Sequence, residues 1–291
     1  MTTFLQIVFT GLATGAIYGL LAMGYAVGYA VSGVINFSHG QLLMISAMVV
    51  SVVYTWSLPA ALVAGLAAAT AAGILVYVVA ILPVVGQRGG GFSWLVSTLG
   101  AAVVLQAVAA MIWGTPSRSF PSLLNGTRFI VSGASITLQA IVAIVCALAA
   151  TLLLELFRRR SLLGRAGMAV ALDAEAASAV GINPRRVHLI AFGVAGLLAG
   201  LAGVLVGPIS FANAYMGAGY GVKGFVALLL GGISKPTSAI GGGFILGTLE
   251  AIAAVSIGPA AVDWFPLVVL VAVLLVAPNG VFGGRLLRRA A

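Results

Sequence analysis

Three small sets of residues have the types and spacing to do chemistry, and all three interrupt apolar sequence. The first is Asn36, Ser38, His39 and Gln41 within SGVINFSHGQ, residues 32–41. The second is Glu250, the single carboxylate of IGGGFILGTLEAIA, with the helix-breaking pair Gly231-Gly232 upstream of it. The third is a polar island, LDAEAASAVGINPRRVH, at residues 172–188. An ionisable group in hydrocarbon is expensive and is retained where it is paired or lines a polar path. His39 therefore has two readings: it caps a helix and is satisfied by backbone carbonyls, or it lines a path. No second His or carboxylate stands at ligand spacing, so no metal site is expected. Glu250 calls for a cation, Lys223 or Lys235, unless it lies near the outer interface and is wet. Ser97 and Thr98 of SWLVSTLG place two hydroxyls near the start of another apolar run.

None of these sets is catalytic in pattern. The chain has no G-x-x-x-x-G-K-[ST] loop to cradle phosphates, and no HExxH or GxSxG. It is read as a non-enzyme that needs no cofactor of its own. A carrier driven by protons or sodium would display several acidic groups in its apolar segments, whereas Glu250 stands alone.

The elements that must position these residues are apolar helices. Hydrophobic residues make up 62% of the chain and charged residues 7%, against about 25% charged in a soluble domain. The expected fold is all-α: a polytopic membrane protein of about eight transmembrane helices with broken or re-entrant segments, in one domain over 1–291. The net charge of +9 does not point to nucleic acid, because its placement is that of cytoplasmic loops. Arg158, Arg159, Arg160, Arg165, Arg185 and Arg186 flank the island, and Arg285, Arg288 and Arg289 end the chain. The lone Cys146 lies in an apolar run and excludes a disulfide framework.

Taken in order, spans are predicted at about 5–31, 41–57, 60–83, 93–113, 138–157, 188–209 and 263–278. The first is read as a retained span, and its Gly11-xxx-Gly15-xxx-Gly19 spacing suits close helix packing. Residues 114–137, with Pro116, Pro121, Asn125 and Gly126, read as an external loop with little regular structure. Residues 223–257 read either as a re-entrant hairpin or as two short spans. In the island, Asp173 and Glu175 suit a helix's first turn, the alanines its body, and Gly181 with Asn183-Pro184 its stop. The cytoplasmic loop spans about 158–187. With that loop inside, the N-terminus lies outside and the C-terminus inside. Arg88 also falls inside, so ten of the fourteen basic residues face the cytoplasm. Two halves echo one another faintly: SGVINFSHGQ in the first, and GFVALLLGGI, SKPTS and AIGGGFILG in the second. Paired interrupted segments of this kind point to a transport path, because unwound backbone survives in a membrane only where protein or water satisfies it.

The residues also resemble a known family. INFSHGQLLMISA at 35–47 is similar to the INFAHG-type segment of LivH-type permeases of branched-chain amino acid ABC importers. The likeness continues through LVSTLG at 95–100, AEAASAVGINPRRV at 174–187, FGVAGLLAGLAGVLVGP at 192–208, KGFVALLLGGI at 223–233, IGGGFILGTLE at 240–250 and APNGVFG at 277–283. Ser234-Lys235-Pro236 departs from the small-residue turn more usual after GGI. Glu175-Ala176-Ala177 with Gly181 resembles the EAA loop by which such permeases dock on ATPase subunits. The resemblance implies a bacterial inner-membrane permease working by alternating access. Its implied partners are a LivM-like second permease, two ABC ATPases carrying ATP and Mg, a periplasmic binding protein, and membrane lipid. Asp173, Glu175, Ala176, Ala177, Gly181, Asn183, Pro184, Arg185 and Arg186 are then the coupling residues. Asn36, Ser38, His39, Gln41, Ser97, Thr98, Gly231, Gly232 and Glu250 are then the path. Urea or short-chain amides stand as alternative cargo, and a stand-alone channel or facilitator as the alternative class.

Overall fold

A computed structural model describes residues 2–85, 92–121, 128–131, 133–233, 235–277 and 280–282. Arg88, Asn125, Gly126, Ser234, Arg285, Arg288 and Arg289 lie outside the described residues. Six described helices are long and apolar enough to cross a membrane. They are α1 (Thr2–Ser32), α3 (Leu58–Val76, continued by a π turn at Tyr77–Ile81), α4 (Ser93–Trp113), α5 (Leu138–Arg160), α8 (Pro184–Ser210) and α10 (Pro236–Ser256). Shorter apolar helices α2 (His39–Val53), α9 (Met216–Gly231) and α11 (Ala261–Val276) run among them. Two further helices, α6 (Leu162–Leu172) and α7 (Ala174–Ala179), form the cap that follows α5. At the opposite end, β1 (Arg128–Val131) pairs antiparallel with β2 (Ala134–Thr137). This hairpin corrects the expectation of a loop with little regular structure. Its alternating Phe129, Ile130, Val131 and Ile136 are short strand formers around a Gly133 with φ 83°.

Helices α1 and α8 are the enclosed axis of the bundle, and the rest pack around them. Lipid tails are as apolar as leucine, so the hydrophobic effect does not drive helices together here; backbone proximity does. A Cβ added at Gly15 of α1 would stand 2.7 Å from the Gly243 carbonyl oxygen of α10. One added at Gly196 of α8 would stand 2.5 Å from the Ala69 carbonyl oxygen of α3. The glycine spacing of α1 is therefore a contact surface, as the sequence suggests, and its mate is GGGFILG.

The halves do repeat, but in a different correspondence from the one expected. A constant 177 residues separates Asn36 from Asn213, Gly40 from Gly217, Pro59 from Pro236, and Gly65 from Gly242. Helices α1, α2 and α3 thus correspond to α8, α9 and α10. The principal packings come in mated pairs: α1 on α10 with α8 on α3, and α2 on α8 with α9 on α1. The counterpart of the 33–38 break is 211–215, between α8 and α9. The 232–235 break instead corresponds to the turn before Leu58-Pro59. The repeat escaped the eye because the second break, FANAY, keeps only the asparagine of INFSH.

The 223–257 unit resolves into the short α9 and the full-length α10. Replacing Gly243 or Gly196 by Leu drives a side chain into backbone, and overpacking of this kind costs about 1–3 kcal/mol. Both variants are expected to lower the thermal unfolding midpoint of the detergent-purified protein. Gly100→Ala on α4, where a Cβ meets nothing, is expected to hold or slightly raise the midpoint, since Ala favours helix over Gly by about 0.5–1 kcal/mol.

Candidate functional site

The two breaks deliver their helices to one place. After Ser32 the chain turns at Gly33 (φ 68°), and the Asn36 Oδ1 accepts from the Ser38 amide at 3.1 Å and its hydroxyl at 2.7 Å. After Ser210 it turns at Phe211 (φ 55°), and the Asn213 Oδ1 accepts from the Tyr215 amide at 2.9 Å. An asparagine side chain replaces a backbone partner in both turns, which lets the chain reverse without leaving amides unbonded. Helices α2 and α9 start directly afterwards and meet where Gly40 faces Gly217 and Gly221. The Tyr25 hydroxyl of α1 donates to the Gly221 carbonyl of α9 at 3.1 Å, tying the start of that helix to the axis. With 15 and 16 residues, each helix is about 23 Å long and falls short of the roughly 30 Å hydrocarbon core. Neither crosses it alone.

The residues of the first break expected from the sequence to line a path are drawn together here. Asn36, Ser38, His39 and Gln41 are all buried. Ser38 occupies the N-cap position, so His39 is not the cap. Its ring lies 4.5 Å from the Tyr25 ring, a ring N–H is directed at the Leu21 carbonyl, and Nε2 has no partner among the described residues. The Gln41 amide donates to the Gln106 side chain of α4 at 3.4 Å, leaving its Oε1 and the Asn36 Nδ2 without a partner among the described residues. Unpaired buried polar atoms cost about 1–3 kcal/mol each, and here they cluster at the crossing of the two breaks. Ser97 is spent on the Ala80 carbonyl, at 2.5 Å, and Thr98 on the Trp94 carbonyl of its own helix, at 2.9 Å. Gly231 packs on Ala239, and Gly232 takes φ 89° at the turn into α10. These four serve helix packing and turning rather than the crossing.

Glu250 is buried, and its partner is Lys223, at 2.6 Å; Lys235 is the N-cap of α10. The Lys223 ammonium also reaches the Tyr18 hydroxyl at 3.3 Å, while the Glu250 Oε2 has no partner among the described residues. By the 177-residue spacing, the same places in the first half hold Ser46 and Gly73. The scaffold therefore does not require this charge pair, and only one half carries it.

The island is not the single helix expected over 172–188. Asp173 ends α6 and caps α7, its Oδ1 accepting from the amides of Glu175 (2.9 Å) and Ala176 (3.0 Å). Gly181 (φ 88°) then closes α7, with Gly181 N–H to Ser178 O and Ile182 N–H to Ala177 O, both at 3.0 Å. Asn183 and Pro184 are a start rather than a stop: the Asn183 Oδ1 caps α8 through the amides of Arg185 and Arg186, with Pro184 at the first helical position. Arg185 and Arg186 thus open a membrane helix. Ala177 faces inward onto Val170 and Val187, whereas Asp173, Glu175 and Ala176 are exposed between the exposed apolar Leu172 and Val180. Sequence reasoning missed His188, which accepts from the Tyr77 hydroxyl at 3.3 Å and donates to the Val31 carbonyl at 3.0 Å. It also missed Tyr25. An aromatic or imidazole group inside a glycine-spaced run was the available signal for both.

Inverted halves meeting at helix starts inside the membrane, joined to an exposed capped helix at one end, define a multi-pass membrane transport protein. The chain matches, over residues 7–277, the family described as branched-chain amino acid transport system / permease component, and it belongs to that family. It is 36% identical to the high-affinity branched-chain amino acid transport system permease protein LivH of Salmonella typhimurium, over 96% of each chain. LivH of Escherichia coli K12 is 35% identical over the same shares, and BraD of Pseudomonas aeruginosa is 32% identical. In fold it is like PsaBC from Streptococcus pneumoniae solved in complex with Fab, with a TM-score of 0.51 at 14% identity, over 95% of this chain and 92% of that one.

Removing one partner of a buried ion pair strands the other charge at about 3–5 kcal/mol. Glu250→Ala and Lys223→Met are each expected to lower the unfolding midpoint strongly. The double variant Lys223→Met/Glu250→Leu recovers most of the loss, and a double-mutant cycle on the purified protein measures the difference.

Proposed function

We propose that this chain is the permease subunit of an ABC importer that carries branched-chain, hydrophobic amino acids across a bacterial inner membrane. The observation that carries the reading is the meeting of two inverted breaks, where the buried Asn36 Nδ2, His39 Nε2 and Gln41 Oε1 have no partner among the described residues, in a chain of the branched-chain permease family. In this reading the N-terminus is outside and the C-terminus cytoplasmic. ATP and Mg are bound by two ATPase partners, a LivM-like chain is the second permease, and a periplasmic binding protein delivers cargo and supplies most of the selectivity.

The coupling follows from the caps. Helix α7 presents Glu175 and Ala176 on a face of small side chains, flanked by Leu172 and Val180, to a cleft of an ATPase. Its inward face, Ala177 with Val170, Val187 and Val31, makes α6, α7 and the start of α8 one packed unit with the end of α1. His188 bonds that unit to the Val31 carbonyl of α1 and to the π turn of α3. Displacement of α7 on ATPase closure therefore moves the end of α1 and the 33–38 break that follows it. Asp173, Gly181 and Asn183 act by fixing where α7 points.

Two measurements test this. Proteoliposomes holding the chain with its permease and ATPase partners, and binding protein outside, are expected to accumulate leucine only with internal ATP. Urea uptake instead would change the cargo, and downhill flux through the chain alone, indifferent to ATP, would overturn the importer reading. Ala176→Trp, at an exposed position, is expected to cut uptake by about tenfold or more, the scale of a blocked interface anchor, with an unchanged unfolding midpoint. Wild-type uptake by that variant would remove α7 from the docking role.

A further inference from the structure

The Lys223–Glu250 pair is more than the joint between α9 and α10 needs. The first half makes the matching joint with Gly73 and with Ser46, whose hydroxyl returns to the Gly200 carbonyl. A buried ion pair gives a fold little that a well-packed apolar pair would not, so two charges kept in one half call for another use. Their bonding is also incomplete. The Lys223 Nζ holds the Glu250 Oε1 at 2.6 Å and meets the Tyr18 hydroxyl at 3.3 Å, while the buried Glu250 Oε2 has no partner among the described residues.

The pair is also reachable. The Lys223 side chain keeps 14% of its surface exposed, against 5% for Glu250, so the ammonium is the end met first. Gly219 stands one turn before Lys223 on the same helix face, and side chains on a helix tilt toward that preceding turn. Gly219 is exposed, and a Cβ there would meet nothing within 4 Å, which leaves this flank of the lysine bare. The Tyr18 ring centroid lies 5.5 Å from the ammonium and 6.2 Å from that of Tyr220, whose hydroxyl is already held by Ser210 at 2.8 Å. Two turns back along α9 is its start, where the two breaks cross.

We infer that Lys223 and Glu250 receive the charged ends of an α-amino acid, Lys223 its carboxylate and Glu250 its ammonium. This stands within the importer reading above and adds to it a point of recognition in the permease itself. A zwitterion carries one charge of each sign on neighbouring atoms. Inserted between the two side chains, it replaces one ion pair by two and leaves the interior neutral. The idle Oε2 gives the incoming ammonium a second acceptor, and charge-assisted bonds of this kind are the strong ones. A simple amine or carboxylate would leave one buried charge uncompensated, and urea would leave both. The site therefore favours amino acids over urea. It is indifferent to the side chain, which the binding protein is left to select.

Proteoliposomes holding the whole importer, with saturating binding protein outside and ATP inside, provide the first test. Lys223→Met/Glu250→Leu, expected above to recover most of the stability that the single variants lose, is expected to take up leucine at about a tenth of the wild-type rate or less. Wild-type uptake by this variant would mean that the pair only holds α9 on α10; that would overturn the inference and leave the importer reading standing. Failure of the wild-type importer to accumulate leucine with ATP would instead overturn the importer reading itself. The second test reads contact directly. The chain has two lysines, Lys223 and Lys235, so a Lys235→Arg chain isotope-labelled at lysine Nζ reports on Lys223 alone. In the assembled importer, with leucine labelled at its carboxylate carbon, solid-state NMR is expected to show dipolar coupling between the two labels. Labelled 4-methylpentanoate, which lacks the ammonium, is expected to show none. Absence of coupling to leucine, or equal coupling to both compounds, would overturn the inference even where the double variant fails to fold.

Discussion

Backbone that stops being helical inside a membrane must still bond its amides and carbonyls, and that constraint governs this molecule. Two chain reversals occur between apolar helices, and in each an asparagine oxygen replaces the missing backbone acceptor. The helices that follow can begin there because Gly40, Gly217 and Gly221 let them touch, and because Tyr25 of α1 donates to the Gly221 carbonyl. A side chain on any of the three glycines would force the helix starts apart and expose the reversals. The glycine seams of α1 with α10 and of α8 with α3 hold the frame that keeps this crossing closed.

The departures from symmetry are where specialised work is done. Both halves build the same packing of their second and third helices, yet the places of Ser46 and Gly73 in one are taken by Lys223 and Glu250 in the other. The Ser46 hydroxyl simply returns to the Gly200 carbonyl. The ion pair joins α9 to α10 and, through Tyr18, to α1. A similar division separates the ends of the bundle. The hairpin end is closed by short strands and turns. The other carries α6 and α7, which have no counterpart in the repeat, and α7 packs toward the bundle through a small apolar cluster of Ala177 with Val170, Val187 and Val31.

What the sequence disclosed was set by range. Spans, their order, the polar island and the buried cluster at 36–41 were legible because they depend on hydropathy and local polarity. Local cap chemistry was half legible: Gly181 as a stop was correct, but Asn183-Pro184 reads equally as a stop or a start until the next helix is known to begin there. The pairing of Glu250 with Lys223 rather than Lys235 rests on α9 being a helix at all, which its 16 residues disguise as part of a re-entrant loop. The repeat was mispaired for a similar reason. Glycine and proline spacing carries it, while the residues around those positions have diverged beyond recognition by eye. His188 and Tyr25 could not be placed, since each acts across helices far apart in sequence.

The π turn at Tyr77–Ile81 has a mechanical consequence. A wider turn leaves the Ala80 carbonyl for the Ser97 hydroxyl of α4, and it sets the ring of Tyr77 toward His188. Helix α4 is otherwise largely exposed, and its second polar stitch is Gln106 to Gln41, three turns further on. A rod of 21 residues, about 30 Å long, is thereby fastened at one end to the element that follows the cap and near its middle to the start of α2. Two ties nine residues apart fix both the tilt and the rotation of a helix that is otherwise largely exposed, so α4 is stitched to the bundle as a stave rather than left to drift along its flank.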